Sequence, residues 1–256
     1  MKHIQSRDNP FYKQLRRLAD SGRERRKTGM TLLDGLHLVA AWESAFGPLE
    51  PLIVSESALS GGEIADYLAG REVTVLSDAL MRELGIVDTP SGLLAMAPIP
   101  HGHTAVDLDQ DMVLLDGVQD PGNLGSLLRT AQASGVRQLV LSAACASAWS
   151  PKVLRAGQGA HFALRIIEQA DLSAVMQAYR GTTLVTCLEC ASSLYEAQWQ
   201  GPLAWVFGAE GQGVSPALIA LAQHKIRIPM PGGIESLNVG AAAAVCLFEA
   251  LRRRLA

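Results

Sequence analysis

The chain predicts an α/β protein in two parts, a small α/β unit followed by a larger, mostly parallel sheet covered by helices on both faces. Three features carry that prediction. Short apolar runs alternate with helical periodicity along the whole length. A turn-rich stretch, Pro98-Ile-Pro-His-Gly-His-Thr-Ala105, interrupts the alternation near residue 100. Beyond it, two apolar runs end in glycine-rich backbone before helical pattern resumes: Gly208-Ala-Glu-Gly-Gln-Gly213, and Ile228 through the Gly/Ala run that ends at Ala244. Such a layout puts loops at the carboxyl ends of neighbouring strands, where open α/β sheets bind their ligands.

Taken in order, Asn9-Pro10 opens a helix to about Ser21 with Phe11, Leu15 and Leu18 on one face. The polar run from Ser21 to Gly29 reads as a loop. Strands are expected at 30–33, 51–55, 72–76 and 92–99, with helices at 35–46, 62–69 and 78–84 between them. Residues 1–100 thus form one domain, 101–110 a linker and 111–256 a second domain. In the second, strands are expected at 112–115, 138–141, 163–167, 182–186, 203–207 and 225–228. Helices fall at 123–134, with Asn123 suited to N-capping and Gly135 to stopping it, and at 150–156, 172–179 and 216–222. A last helix is expected from Glu235 to about Arg254. Its first half is almost all Gly and Ala, which lets another backbone come very close.

Composition narrows the class. With 256 residues, 48% hydrophobic and 18% charged, the chain has core enough to fold and is not of the disordered kind. No apolar run reaches the roughly 18 residues of a membrane span. The polar N-terminus has no apolar signal region, so no membrane association and a cytoplasmic location are expected. Cys187-x-x-Cys190 has no second pair, and His101-x-His103 sits in the turn-rich linker. Neither supports a metal, and no metal site is expected. The net charge of −3 hides an asymmetry. Residues 1–27 hold nine bases and three acids, a balance of +6, leaving 13 bases and 22 acids, or −9, elsewhere. A basic arm on an acidic body points to a polyanionic partner, with Arg16, Arg17, Arg23, Arg25, Arg26 and Lys27 as its contacts. The alternative reading is a solvated helix face.

Two common nucleotide sites are excluded. Gly117, Gly122 and Gly125 do not make the G-x-G-x-x-G fingerprint, and no G-x-x-x-x-G-K-[ST] occurs. The first strand of the second domain leads instead into Asn123-Leu-Gly-Ser-Leu-Leu-Arg129-Thr-Ala. Gly125 and Arg129 lie one helical turn apart, which leaves room beneath a guanidinium for an anionic group such as a phosphate.

Three segments, Asn123-Leu-Gly-Ser-Leu-Leu-Arg-Thr-Ala, Phe207-Gly-Ala-Glu-Gly-Gln-Gly-Val and Ile228-Pro-Met…Glu235-Ser-Leu-Asn-Val, resemble in order and spacing the motifs of the SpoU (TrmH) family of RNA 2′-O-ribose methyltransferases. The resemblance runs from about Asp111 to the C-terminus. A softer one links Ser6-x-x-Asn9-Pro and Leu32-Leu-Asp-Gly-Leu-His37 to the L30e-like substrate-binding domain of the ribosomal RNA members. Asp34 stands where that domain has Glu, and Gly240 where the third motif has Ser or Ala.

The resemblance implies a parallel sheet tied in a trefoil knot, a homodimer through the C-terminal domain, and S-adenosylmethionine as methyl donor for RNA, most of all ribosomal RNA. By the same resemblance Thr186, Gly208, Ile228, Met230 and Leu237 hold the donor. Arg129, Asn123, Glu210, Ser236 and Asn238 serve the ribose and the chemistry. A guanidinium stays protonated in proteins, so Arg129 is expected to hold a phosphate and stabilise developing alkoxide rather than to act as base. Glu210 pairs with Arg129 or another charge, or acts directly. For Gly208 and Gly213, turn geometry and donor approach both remain open. A transfer RNA enzyme of the same family and a non-catalytic RNA-binding factor are the rival readings.

Overall fold

The computed structural model describes residues 1–86, 90–100, 105–188 and 192–256. His101, His103 and Cys190 lie outside them. In chain order the strands and helices are β1 (Lys2–Ile4), α1 (Pro10–Asp20), α2 (Gly22–Thr28), β2 (Met30–Asp34), α3 (Leu36–Phe46), β3 (Leu52–Ser55), α4 (Glu63–Tyr67), β4 (Val73–Leu76), α5 (Asp78–Glu83) and β5 (Leu93–Pro98). There follow β6 (Met112–Asp116), α6 (Pro121–Ala133), β7 (Gln138–Ser142), α7 (Pro151–Gly157), β8 (Arg165–Ala170), α8 (Leu172–Ala178), β9 (Thr182–Thr186), β10 (Ser192–Ser193), β11 (Leu203–Gly208), α9 (Pro216–Leu221), β12 (His224–Arg227) and α10 (Val239–Leu255).

Contacts divide the chain into one unit of Met1–His101 with Trp149–Phe162, and a second of Gly102–Ala148 with Ala163–Ala256. The sequence division leaves Trp149–Phe162 in the second domain, but its partners are in the first unit. Thr31 Oγ1 donates to the Trp149 carbonyl (2.6 Å), Arg155 pairs with buried Asp34, and Phe162 packs edge-on to Trp42. None of these tertiary contacts has a local signal.

The first unit is a five-stranded sheet in the order β1-β4-β3-β5-β2, parallel on the β1 side and antiparallel where β5 meets β3 and β2. One face is closed by Tyr12, Leu15 and Leu18 of α1 against Leu32, Ile53 and Leu76. Phe11, expected on the face of Leu15 and Leu18, packs partly buried against this core, and Tyr12 is the fully buried aromatic of that helix. Asn9 caps α1 by accepting from the Phe11 amide (2.9 Å).

The run from Ser21 to Gly29 is a helix and not a loop. Ser21 caps it through the Glu24 amide (3.1 Å) and Gly29 ends it at φ +64°. Arg25, in that helix, is 5% exposed, and its Nη1 donates to the carbonyls of Leu18 (2.6 Å) and Ala19 (3.0 Å). It stitches α2 to the end of α1 by satisfying carbonyls that a helix terminus leaves open. Arg25 is therefore withdrawn from the basic face expected to meet a polyanion.

The second unit is a seven-stranded sheet in the order β10-β12-β9-β11-β6-β7-β8, with every pair parallel. Its central strands β9, β11, β6 and β7 are buried on both faces, as a covered parallel sheet requires, whereas β8, β10 and β12 are more polar. Met112, Leu114, Val185, Ala204 and Val206 pack beneath α8 and α9 through Leu172, Met176 and Leu218. The alternating residues Val113, Leu115, Trp205 and Phe207 are buried as well, and α10 lies along α6. From β6 the chain runs outward through β7 and β8, then resumes on the other side with β9, β11 and β12. The switch point lies between β6 and β11, so the loops that follow β6, β9, β11 and β12 converge at one sheet edge.

Two helix starts differ from expectation. α6 begins at Pro121, because Asp120 is its cap and accepts from the Asn123 amide (2.7 Å). The last helix begins at Val239, because Asn238 caps it through the amides of Gly240 (2.9 Å) and Ala241 (3.4 Å). The first shift frees the Asn123 side chain from capping, and the second gives Asn238 that role.

Candidate functional site

The carboxyl ends of β9, β11 and β12 enclose a cavity of about 780 Å³. Its walls are Thr186–Leu188 after β9, Phe207–Val214 at β11 and beyond, and Ile228, Met230 and Glu235–Val239 after β12. All five residues expected to hold the donor, Thr186, Gly208, Ile228, Met230 and Leu237, line it. Thr186 Oγ1 donates to the Val206 carbonyl (3.3 Å), which ties the first wall to the second.

Gly208 is required by close approach, not by an unusual dihedral. A Cβ there would sit 2.0 Å from the carbonyl carbon of Gly213 and 2.2 Å from the Val214 nitrogen. The loop folds straight back on the strand end, with the Gly213 amide donating to the Ala209 carbonyl (2.9 Å). Gly213 itself turns at φ +69°, a conformation that favours glycine. The two glycines thus serve different ends: one makes room, the other makes the turn.

A chain of hydrogen bonds crosses all three motif segments. Asn238 Nδ2 donates to Asn123 Oδ1 (2.8 Å), and Asn123 Nδ2 donates to Glu210 Oε1 (2.6 Å). With Asn238 Oδ1 already accepting from the start of α10, one line of side chains fixes the helix start, α6 and the β11 loop together. Glu210 is thereby held by Asn123; it makes no ion pair with Arg129.

Arg129 is exposed on α6 and has no hydrogen bond or ion pair among the described residues. Gly125, one turn earlier, is buried. Glu210, Ser236 and Asn238 line the cavity, whereas Asn123 and Arg129 stand outside its wall. Ser236 is exposed and makes no hydrogen bond among the described residues. The arrangement offers a largely apolar cavity at three strand ends, bordered by a row of fixed side-chain amides. No group of three or more potential metal ligands occurs among the described residues. Cys187 lines the cavity, and its amide donates to the Ile226 carbonyl (3.0 Å).

The basic residues of the first unit separate into two kinds. Arg16 Nη1 donates to Glu83 Oε1 (3.0 Å), and Arg7 takes the other oxygen of the same carboxylate (2.7 Å). Arg17, Arg23, Arg26 and Lys27 are exposed, and their side chains have no partner among the described residues. Sequence reasoning missed Asp116, whose carboxylate Oδ2 accepts from the Ser215 amide (2.9 Å). Its position at the last residue of a strand beside the switch point was the available signal.

The SpoU rRNA Methylase family matches residues 111–248, and an MRM3-like substrate binding domain matches residues 9–95. A tRNA/rRNA methyltransferase of Synechocystis, described as uncharacterized, is 32% identical over 99% of this chain and 94% of its own. A Bacillus subtilis 23S rRNA (guanosine(2553)-2′-O)-methyltransferase is 31% identical over 97% of this chain and 99% of its own. Among solved structures, an RNA 2′-O ribose methyltransferase superposes with a TM-score of 0.83 at 30% identity, covering 99% of this chain and 100% of that one. The SpoU methyltransferase AviRb of Streptomyces viridochromogenes, solved in complex with AdoMet, gives a TM-score of 0.83 at 25% identity over 97% of this chain and 99% of that one.

Proposed function

The chain belongs to the SpoU rRNA Methylase family, and from that premise we propose that it methylates a ribose 2′-hydroxyl in RNA, ribosomal RNA above all. The methyl donor is S-adenosylmethionine. The observation that carries the reading is the line Glu210–Asn123–Asn238, which draws the three motif segments around a single cavity. The cavity fits the donor: it is large enough for a nucleoside with a side chain, and Gly208, where a Cβ would collide with Gly213 main chain, lets the β11 loop fold back as one of its walls. Thr186, Gly208, Ile228, Met230 and Leu237 would hold it.

When bound, the donor supplies a methyl group on a cationic sulfur, so the protein's task is alignment and management of one proton. Arg129, unpaired and outside the cavity wall, would grip the phosphate beside the target ribose and stabilise its developing alkoxide. Asn123 and Asn238 are fixed by each other and orient the sugar; Ser236 stands free beside them to meet it. Glu210 keeps Asn123 oriented and adds negative charge to the donor side of the site.

Ribosomal RNA is favoured because the similarity to the 23S rRNA enzyme extends across both units. Residues 1–100 would form an L30e-like substrate-binding domain, with Arg17, Arg23, Arg26 and Lys27 meeting phosphates. The trefoil knot around the β12–α10 segment and a homodimer through the C-terminal domain belong to the same proposal. Exposed Ile234 (56%) and Phe248 (45%) on or near α10 support an apolar contact there. No helix among the described residues is long and apolar enough to cross a membrane; a cytoplasmic location belongs to the same proposal.

The test is methyl transfer from labelled donor to ribosomal RNA of a strain lacking the protein, read as an alkali-resistant dinucleotide. Wild type should transfer. R129A should lose at least about 100-fold in kcat while still binding donor. No transfer by wild type to ribosomal or transfer RNA would contradict the proposal.

A further inference from the structure

We infer that Asp116 is a positioning residue for the donor, acting by holding the far end of the β11 loop closed. The inference rests on the donor reading above. Residues 208–214 make one whole wall of the cavity, so donor affinity depends on how firmly that loop stays folded back. Its near end is anchored by strand pairing, with Gly208 opposite Asp116 across β11 and β6. The middle is pinned by the Gly213-to-Ala209 hydrogen bond, and the tip by Asn123 on Glu210. The far end is held by the Ser215 amide on Asp116 Oδ2 at 2.9 Å.

The Ser215 carbonyl accepts from the Leu218 and Ile219 amides (both 3.1 Å), which tie it to α9, but the bond to Asp116 is what ties its amide to β6. Ser215 caps α9, yet its own side chain makes no capping hydrogen bond. The segment it ends, Gly213–Val214, is the one that passes within 2.0–2.2 Å of where a Cβ on Gly208 would lie. Loosening Ser215 therefore loosens the backbone that presses on Gly208. Asp116 does not line the cavity, so its influence runs through main chain alone. An ionised acceptor makes a hydrogen bond about twice as strong as a neutral one, which explains a carboxylate at this strand end. A neutral amide oxygen would still accept, only less well.

Calorimetric titration with S-adenosylhomocysteine and steady-state kinetics on wild type, D116N and D116A provide the test. D116A should bind about tenfold more weakly, with KM for S-adenosylmethionine raised to match and kcat within about threefold of wild type, whereas D116N should recover most of the affinity. If D116A does not fold, S215P breaks the same bond from the other side, its ring carbon taking the place of the N–H and pushing the Asp116 carboxylate away. Ser215 lies at φ −61°, which proline adopts, and S215P should show the same weakening. Wild-type affinity in D116A or in S215P, or a fall in kcat with KM unchanged, overturns the inference. So does a D116N as weak as D116A. A wild-type protein that binds no S-adenosylhomocysteine overturns the donor reading and this inference together; wild-type binding with an unaffected D116A overturns this inference alone.

Discussion

The donor cavity and the basic face of the first unit solve recognition in opposite ways. The cavity is walled by glycine-rich loops and apolar side chains such as Phe207, Ile228 and Met230, and the side chains that hold its loops together are paired off: Asn238 with Asn123, Asn123 with Glu210, Asp116 with the Ser215 amide. The basic face keeps four side chains, Arg17, Arg23, Arg26 and Lys27, without partners among the described residues, while several other cations of the first unit are paired. Arg25 holds α2 to α1, Arg16 shares Glu83 with Arg7, and Arg71 binds Glu43. Shape governs the first region and charge the second. Arg129, on α6 in the second unit, is likewise exposed without a partner among the described residues, and in the proposed function it meets a phosphate.

The contrast is sharpest under salt. Replacing Arg17, Arg23, Arg26 and Lys27 together by alanine should weaken RNA binding about 100-fold at moderate salt. It should also flatten the slope of log affinity against log salt by about 3, from roughly 0.7 per lost single-strand phosphate contact. Filter-binding at several salt concentrations measures both, and donor affinity in the same variant should not move. A quadruple variant with an unchanged slope would remove the basic face from the proposal.

Arg25 should behave as the opposite kind of cation. R25M should lower unfolding stability by about 2 kcal/mol, because two carbonyls lose a charged donor, and leave the salt slope of RNA binding intact. Denaturant melts alongside the binding series separate the two roles. A stable R25M with a flatter slope would return Arg25 to the RNA-binding set.

The smallest effect at neutral pH belongs to Glu43. Burial alone would raise its carboxyl, but Arg71, the Leu49 amide and the Tyr67 hydroxyl bring it down to about 2. A carboxylate lowered on folding adds stability that is fully present above the ordinary carboxylate range and is lost as pH falls towards about 2. Comparing acid melts of wild type and E43Q should show the wild-type advantage at pH 7 disappearing over that acid interval. An advantage that persists unchanged to pH 2 would contradict the pairing.

Much of the fold and site is legible in the residues, for physical reasons that differ by element. The strands at 182–186 and 203–208 announce themselves because a parallel sheet covered on both faces leaves uninterrupted apolar runs. The motif segments are legible through their resemblance to those of the family, and in the fold their glycine and asparagine residues let the β11 loop turn back and link the segments to one another. β1 escapes such reading: its three residues, Lys2–Ile4, become a strand only by pairing with β4. α2 escapes it because nearly every residue in it is polar, although Ser21, Glu24 and Gly29 are its capping signals. The start of α10 is misplaced because helical pattern from Glu235 says nothing about which residue caps. Neither Arg25's burial nor the place of Trp149–Phe162 in the first unit has a local trace, since both arise from contacts between segments distant in the chain.

One experiment bears most directly on the central claim, that backbone folded against Gly208 forms the donor site. Titrate wild type and G208A with S-adenosylhomocysteine at low and high salt. Wild-type binding should vary little with salt, and G208A should show no measurable binding, because its added Cβ would meet Gly213 main chain at 2.0 Å. Equal binding by the two proteins, or wild-type binding that collapses with salt as RNA binding does, would contradict the claim.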